Sequence, residues 1–304
     1  MQALPAFLYA GLRATGGIAV ARHVFKGGLV LCYHNVIAER GGAGVGDPGV
    51  HMGVQRFREQ MRWLAATYEV VSLAEFVARL AAGKSLRRVA TITFDDAYTG
   101  VFMSALPVLP ELGLPATVFI IAGAAERREP FWWDHPGVHS LATTARREQW
   151  LGALRGDGEV ILRHLGVAAR TTLPNEYLPA DWDTLRAAAR SGVALGVHSD
   201  THRSLPHLTD AELQRELLAS RDVIRLRTGV EAEFFAHPYG MWDARVRDSV
   251  RAAGYRAAFT LDYGLSVPDA DRWALPRVNV PATIGPAAFQ AWSAGLKLRW
   301  SLPW

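Results

Sequence analysis

The chain has 304 residues, half of them hydrophobic and a fifth charged, and its net charge of +4 is carried almost wholly by Arg. This composition excludes a disordered chain and allows one large α/β domain or two small ones. The scattered basic residues make nucleic acid a poor partner and leave anionic lipid surfaces or sugar phosphates, while the single Cys32 excludes an internal disulfide.

Residues 1–28 read as a helical arm, with Leu4, Leu8 and Leu12 at i, i+4 and i+8 and Arg13, Arg22 and Lys26 carrying charge. The arm either packs on the domain or lies in a membrane interface. Arg13 interrupts its apolar stretch, there is no basic n-region, and no run reaches the ~20 apolar residues that cross a bilayer. The expectation is a cytoplasmic protein, or one peripheral on the cytoplasmic membrane face.

Leu29-Val30-Leu31-Cys32-Tyr33 predicts the first strand, with His34 at its C-terminal end. Residues 36–52 are Gly-rich and polar and read as a loop. Val54, Phe57, Met61 and Leu64 predict an amphipathic helix, Glu69-Val70-Val71 a short strand, and Ser72-Leu73-Ala74-Glu75 a capping box that opens the next helix. Val89 to Phe94 is apolar and β-branched, as in a strand buried on both faces of a parallel sheet, and Asp95-Asp96 follows it directly. A helix through Leu106 and Leu109 ends near Gly113, and Ala116 to Ile121 is another buried strand. Residues 123–180, with Trp132-Trp133, break the rhythm and read as an insertion at the carboxylate end. A helix over 181–191 precedes the strand Val193 to Val197, which ends in His198. Thr209-Asp210-Ala211-Glu212 caps the next helix, and Glu233 to Ala236 predicts a strand followed by His237-Pro238-Tyr239-Gly240. A helix through Val246 and Val250 stops at Gly254, and Tyr255 to Leu261 is the last clear strand. Trp273 to Val280 reads as extended and carries Arg277, and a helix over 286–299 follows.

Strand–helix alternation of this kind predicts a parallel α/β barrel or doubly wound sheet. His34, Asp95, Asp96, His198 and Tyr239 all fall at strand C-terminal ends, which favours a barrel with one mouth. Adjacent carboxylates on an extended chain point to opposite sides, so one can face a metal and the other a water; the alternative is a pair capping the next helix. His198 and His202, four apart, share a face of a helical turn, and with Asp96 they form a His₂Asp set with an open position, the catalytic zinc arrangement. The alternative is capping by Ser199 or Asp200 with solvated imidazoles.

Three motifs, Thr93-Phe94-Asp95-Asp96, His198-Ser199-Asp200-Thr201-His202 and Ala236-His237-Pro238-Tyr239-Gly240, resemble those of the polysaccharide deacetylase superfamily, the NodB-homology or carbohydrate esterase 4 group. The resemblance runs from about residue 28 to 282 and implies a distorted (β/α)₇ barrel that removes N-acetyl groups from amino sugars with a divalent metal. It implies Asp96, His198 and His202 as ligands and Asp95 as general base, with Zn²⁺ as the ion and Co²⁺, Ni²⁺ or Mn²⁺ as alternatives. Many members begin the third motif with an Arg that holds the base; here Ala236 stands there, and Arg277 is the candidate replacement. Many also carry an acidic-role His late in the chain, and none follows residue 237. Tyr33-His34-Asn35-Val36 instead looks like the branch that deacetylates poly-N-acetylglucosamine, which implies His34 as general acid.

The Tyr239 backbone N–H is the expected oxyanion contact, and Trp132, Trp133, Pro238 and Tyr239 are candidate substrate contacts. The two Trp either form a wall for a pyranose ring or anchor the insertion. The expected organisation is an arm over 1–28, a catalytic domain over 29–283, and a C-terminal amphipathic helix over 284–304, where Phe289, Trp292, Leu296, Lys297, Arg299, Trp300 and Trp304 suit either a membrane interface or packing on the arm. The expected substrate is an N-acetylated glycan or lipid-linked saccharide. The rivals are an O-acetyl esterase, a deformylase of a lipid-linked amino sugar, and a catalytically silent glycan-binding module.

Overall fold

The computed structural model describes residues 2–3, 6–38, 46–139, 141, 143–168, 171–297 and 299–300; Leu4 and Trp304 lie outside them. In chain order, β1 (Gln2–Ala3) leads to α1 (Ala6–Ala14) and α2 (Gly17–Val24), then β2 (Leu29–Tyr33), β3 (Asn35–Ile37) and β4 (His51–Gly53). Next come α3 (Val54–Thr67), β5 (Glu69–Val70), α4 (Leu73–Ala81), β6 (Val89–Phe94) and β7 (Ala116–Ile120). The insertion holds α5 (Ala122–Arg127), α6 (Pro136–His139), α7 (Thr144–Gly152) and α8 (Gly158–His164). Then follow α9 (Trp182–Arg190), β8 (Ala194–Val197), α10 (Asp210–Thr228), β9 (Phe234–Ala236), α11 (Ala244–Ala252) and β10 (Ala257–Phe259). The last elements are β11 (Val278–Asn279), α12 (Pro286–Ser293) and β12 (Arg299–Trp300).

The main sheet runs β10-β9-β8-β7-β6-β2-β11, with β5 beside the start of β6, and its pairs are parallel. Fully buried strands such as Leu29–Tyr33 and Val89–Phe94 explain the unbroken apolar runs, since a parallel sheet covered on both faces has no solvent side. The segment before β11 closes the curl. Leu275 exchanges backbone hydrogen bonds with Ala258 and Thr260 beside β10, and β11 then pairs with β2. The result is a distorted (β/α)₇ barrel.

Its interior is plugged from the strand-start side by α4, whose Leu73, Phe76, Val77 and Leu80 pack with Val30, Phe119, Phe234 and Phe259. The Ser72 cap predicted for α4 is present, its hydroxyl accepting from Glu75 N–H, and Thr209 and Glu212 form a reciprocal capping box on α10.

Four expectations need correction. The helix expected through Leu106 and Leu109 is a π turn at Val101–Ala105 followed by two 3₁₀ turns, because Pro107 and Pro110 remove donors from a regular ladder. The loop over 36–52 contains the parallel pair β3–β4. The last clear strand is shorter than read, at Ala257–Phe259. The terminal helix stops at Ser293, because Gly295 at φ 87° reverses the chain while Leu296 N–H bonds back to Ala291. Its Phe289 and Trp292 are buried against α1, not presented outward.

Gly196 in β8 shows how tightly the barrel interior is filled: a Cβ there would lie 2.5 Å from the Phe119 ring and 3.2 Å from the Phe234 carbonyl. Gly196→Ala is expected to cost roughly 1–3 kcal/mol, read as a lower urea midpoint at unchanged slope. Gly11→Ala on the exposed side of α1, where a Cβ meets nothing within 4 Å, should shift the midpoint slightly upward.

Candidate active site

Register assembles the site. Tyr33 pairs with Phe94, so His34 and Asp95 leave the sheet side by side, with Asp95 N–H bonded to the Tyr33 carbonyl at 2.9 Å. Ile120 pairs with Val197 and Val197 with Phe235, which sets His198 beside Ala236. The sequence alternation therefore delivers every polar strand end to one mouth.

Asp96 Oδ1 lies 3.4 Å from His198 Nε2 and 3.5 Å from His202 Nε2, and the two imidazole nitrogens are 3.2 Å apart. All three side chains are buried, and Asp96 Oδ1 has no hydrogen-bond partner among the described atoms. His198 Nδ1–H donates to the Ala236 carbonyl at 2.8 Å, which leaves its Nε2 lone pair facing the other two atoms. Burial, followed by the neighbouring imidazole, lowers the His202 pKa to about 3, so this ring is neutral. Burial disfavours the charged His198 ring, but the Asp95 and Asp96 charges raise its pKa, so the three facing atoms call for a cation, a proton or a metal ion, between them. Donors ~2.0–2.2 Å from a tetrahedral ion stand ~3.3–3.6 Å from one another, close to the spacing seen here. The donor set therefore fits a divalent ion with one position open.

The two histidines meet for a different reason from the one expected. They are not on a helical turn. His198 ends β8, and the chain then doubles back through Ser199 at φ 66° and His202 at φ 59°, with the Ser199 hydroxyl accepting from His202 N–H at 2.9 Å. The chain likewise turns after Asp95, with Asp96 at φ 67° and Ala97 at φ 52°.

Arg277 reaches Asp95 from the closing segment with two parallel hydrogen bonds of 2.7 Å, and it is completely buried. Its Nε–H donates to the Thr260 carbonyl at 2.9 Å, and its guanidinium lies 5.8 Å over the Phe119 ring. Burial alone would raise the Asp95 carboxyl; the Arg277 charge, reinforced by His198, outweighs it and holds the group well below the usual carboxylate range. Cys32, which the sequence reading passed over, donates its thiol to Asp95 Oδ2 at 3.4 Å. It lies two residues before His34 on an extended strand, and that shared-face spacing was the available signal. A ring nitrogen of His34, the Cys32 sulfur and an Asp95 oxygen all lie within 4.8 Å of one another.

Tyr239 sits at φ 58° in the turn after β9, and its ring packs 4.3 Å from His202. Its hydroxyl accepts from Trp132 Nε1 at 3.0 Å and donates to the Gly156 carbonyl at 3.2 Å, tying the insertion to the mouth. Trp133 packs 4.9 Å from His202. Both indoles are largely buried yet border the pocket, so the insertion is anchored by the same rings that wall the site. Pro238 is buried within its turn and does not border the pocket.

Behind Trp133 stands a polar network that sequence reading missed. Trp133 Nε1 donates to Tyr98 OH at 2.7 Å, and Tyr98 donates to Asp134 Oδ2 at 2.6 Å. Asp134, completely buried, also accepts from Asp47 N–H and His51 Nε2, each at 2.9 Å. Asn35 donates to His51 Nδ1 at 2.9 Å. Asp134 follows the two Trp in sequence, but its partners come from distant loops. The open pocket over these groups holds about 410 Å³ and is bordered by His34, Asp95, Asp96, His198, His202 and Arg147, among others.

A sequence model of the polysaccharide deacetylase family matches residues 82–258. The chain belongs to that family. Members of the polysaccharide deacetylase family are hydrolases acting on N-acetyl groups of polysaccharides. The chain is 24% identical over 238 residues to poly-β-1,6-N-acetyl-D-glucosamine N-deacetylase of Staphylococcus epidermidis, covering 74% of this chain and 66% of that one. It thus spans about two thirds of that relative's length. Its fold is similar to that of the Streptococcus pyogenes deacetylase PplD in complex with acetate, with a TM-score of 0.60 at 16% identity, covering 86% of this chain and 95% of that one. IcaB from Ammonifex degensii aligns with a TM-score of 0.59 at 20% identity, over 89% of this chain and 98% of that one. His34 and Arg277 both fall outside the stretch that the family match covers.

The Arg277–Asp95 pair sets a pH dependence. Arg277→Lys keeps a charge but loses the two-pronged contact, so the Asp95 pKa should rise towards the value that burial favours. A base must be ionised, so the acid limb of kcat/KM should move to higher pH. The same carboxylate contributes stability above its unfolded pKa and loses it as pH falls through the folded one, so the variant should also unfold at higher pH on acidification. A pH–rate profile and an acid titration of stability check both; an unmoved acid limb would separate Arg277 from the base.

Proposed function

We propose that this chain hydrolyses the N-acetyl group of an amino sugar in a bacterial polysaccharide or lipid-linked glycan precursor, releasing acetate, with one divalent ion, Zn²⁺ by its donor set. The observation that carries the reading is the convergence of Asp96 Oδ1, His198 Nε2 and His202 Nε2 beside the Arg277-bound Asp95, with His34 on the same pocket. The staphylococcal relative, an N-deacetylase of poly-β-1,6-N-acetyl-D-glucosamine, supports the substrate class.

Asp96, His198 and His202 would hold the ion. A bound divalent ion supplies Lewis acidity, bringing a coordinated water from a pKa of about 15.7 towards ~7 and polarising the amide carbonyl. Asp95 accepts the water's proton; Arg277 keeps it ionised and fixes its orientation. The Tyr239 backbone N–H donates to the carbonyl oxygen of the acetyl group as it becomes an oxyanion. His34 gives a proton to the departing amine nitrogen, because an amine anion leaves too poorly unaided. Trp132, Trp133 and Tyr239 border the sugar. An O-acetyl esterase would use the same base and ion but would need His34 less, since an alkoxide leaves more readily than an amine anion.

About one divalent ion per chain is expected by elemental analysis, released by chelation, with His202→Ala abolishing both metal and turnover. Asp95→Asn should retain the ion and lose nearly all turnover, while Asp96→Asn should lose metal affinity first. Identical metal titrations for the two variants would sink the division of roles.

His34→Ala should slow hydrolysis of N-acetyl substrates by roughly 10²–10⁴ and leave activated aryl acetates far less affected. Equal losses on both would exclude the acid role.

A further inference from the structure

Asp and Glu account for 29 of the 304 residues, yet none occurs in residues 1–38 or 272–304. The fold joins these two stretches. β1 pairs with β12, α1 packs along α12, and Trp292 Nε1 donates to Tyr9 OH at 3.0 Å. The joined ends form one unit that carries cations and no carboxylate side chain.

This unit exposes large apolar side chains. Phe7, Val20, Val24 and Phe25 are 71%, 62%, 63% and 42% exposed, and they are four of the seven large hydrophobic side chains exposed among the described residues. Ala10 and Ala14, also exposed, extend the Phe7 stripe along α1 at i+3 and i+7. Arg13 in α1 and Lys26, two residues past the end of α2, are exposed, whereas Arg22 is engaged over the Trp63 ring at 5.6 Å. The inward faces are already satisfied, with Tyr9, Ile18 and Ala21 buried in the core. The terminal helix contributes nothing to this surface, since its Phe289 and Trp292 point inward.

We propose that the α1–α2 pair docks peripherally on an anionic lipid surface. Helices of nine and eight residues are too short to span a bilayer, so their apolar side chains would enter only the headgroup boundary while Arg13 and Lys26 meet lipid phosphates. A second copy of the chain is a poorer occupant. Stacking two such faces would bring Arg13 and Lys26 of one copy towards those of the other, and neither terminal stretch holds an Asp or Glu to offset them. The helix pair attaches at the strand-start end of the barrel, where α2 runs into β2 and Arg22 covers Trp63 in the last turns of α3. The pocket opens at the other end of the strands, so docking leaves it uncovered.

The test is co-sedimentation of the full chain with vesicles of phosphatidylcholine alone or mixed equally with phosphatidylglycerol, at low and high salt. Binding should require phosphatidylglycerol and weaken with salt. The triple variant Phe7→Ser/Val20→Ser/Val24→Ser should bind at least about tenfold more weakly. Arg13→Glu/Lys26→Glu should lose about tenfold or more on the anionic vesicles alone. Leu226→Ser, which removes an 83%-exposed Leu elsewhere, should bind like the parent. Circular dichroism and thermal midpoints confirm that these exposed changes leave the fold intact. Equal binding to both vesicle types, or full binding by the triple variant, overturns the proposal. So does a vesicle-free dimer that the triple variant dissociates, which would make the face a contact between copies.

Discussion

A guanidinium with no solvent contact is stable only if its charge is answered, and here Asp95 answers it with two hydrogen bonds of 2.7 Å. Removing one would strand a buried charge, at a cost of about 3–5 kcal/mol. The pair also ties the end of β6, which Asp95 follows, across β2 to the closing segment that carries Arg277 between β10 and β2. Closure of the sheet therefore also fixes the orientation of the Asp95 carboxylate. Ala236 occupies the position where the family pattern places an Arg, and the closing segment supplies the charge from another direction.

Much of this was legible in the sequence because burial on both faces leaves no freedom in composition. Leu29–Tyr33 and Val89–Phe94 can hardly be anything other than interior strands, and polar residues directly after such runs must lie at the mouth. What was not legible depends on contacts between loops. The spacing of His198 and His202 fits a helical turn, but a turn with two positive-φ residues achieves the same convergence, and spacing alone does not distinguish them. Asp134 reads as an ordinary polar residue after two Trp; its partners His51, Tyr98 and Asp47 become visible only when β3–β4 folds against the insertion. The terminal helix shows the opposite error. Its Phe and Trp spacing signals an amphipathic face correctly, but says nothing about whether lipid or α1 covers it.

The Asp134 network gives the insertion a reason to be rigid. Trp133 lies against the His202 imidazole, and its N–H is held through Tyr98 by a carboxylate with three donors. A pocket wall tethered in this way can position a sugar without reordering side chains on binding, which avoids an entropic cost of about 0.5–1.5 kcal/mol per immobilised side chain. The same ring that borders the pocket also packs against His202.

Backbone strain has the same distribution. Among the described residues, eight non-glycine residues have positive φ, and five of them, Asp96, Ala97, Ser199, His202 and Tyr239, lie in the turns that carry the site. Each such residue costs on the order of 1–2 kcal/mol, so their concentration needs a cause. Straight continuation of β6, β8 and β9 would carry Asp96, His202 and Tyr239 up and away from the barrel axis. A left-handed step at each strand end turns the chain back over the mouth and brings the donor atoms within 3.5 Å of one another. The surrounding order holds these steps in place: Ser199 Oγ caps the His202 N–H, Glu216 accepts from the Asp200 and Thr201 N–H groups at 2.9 Å, and Tyr239 is pinned by Trp132. Donors pre-set in this way need no reorganisation to take up an ion, and the strain they carry is offset by packing in the barrel beneath them.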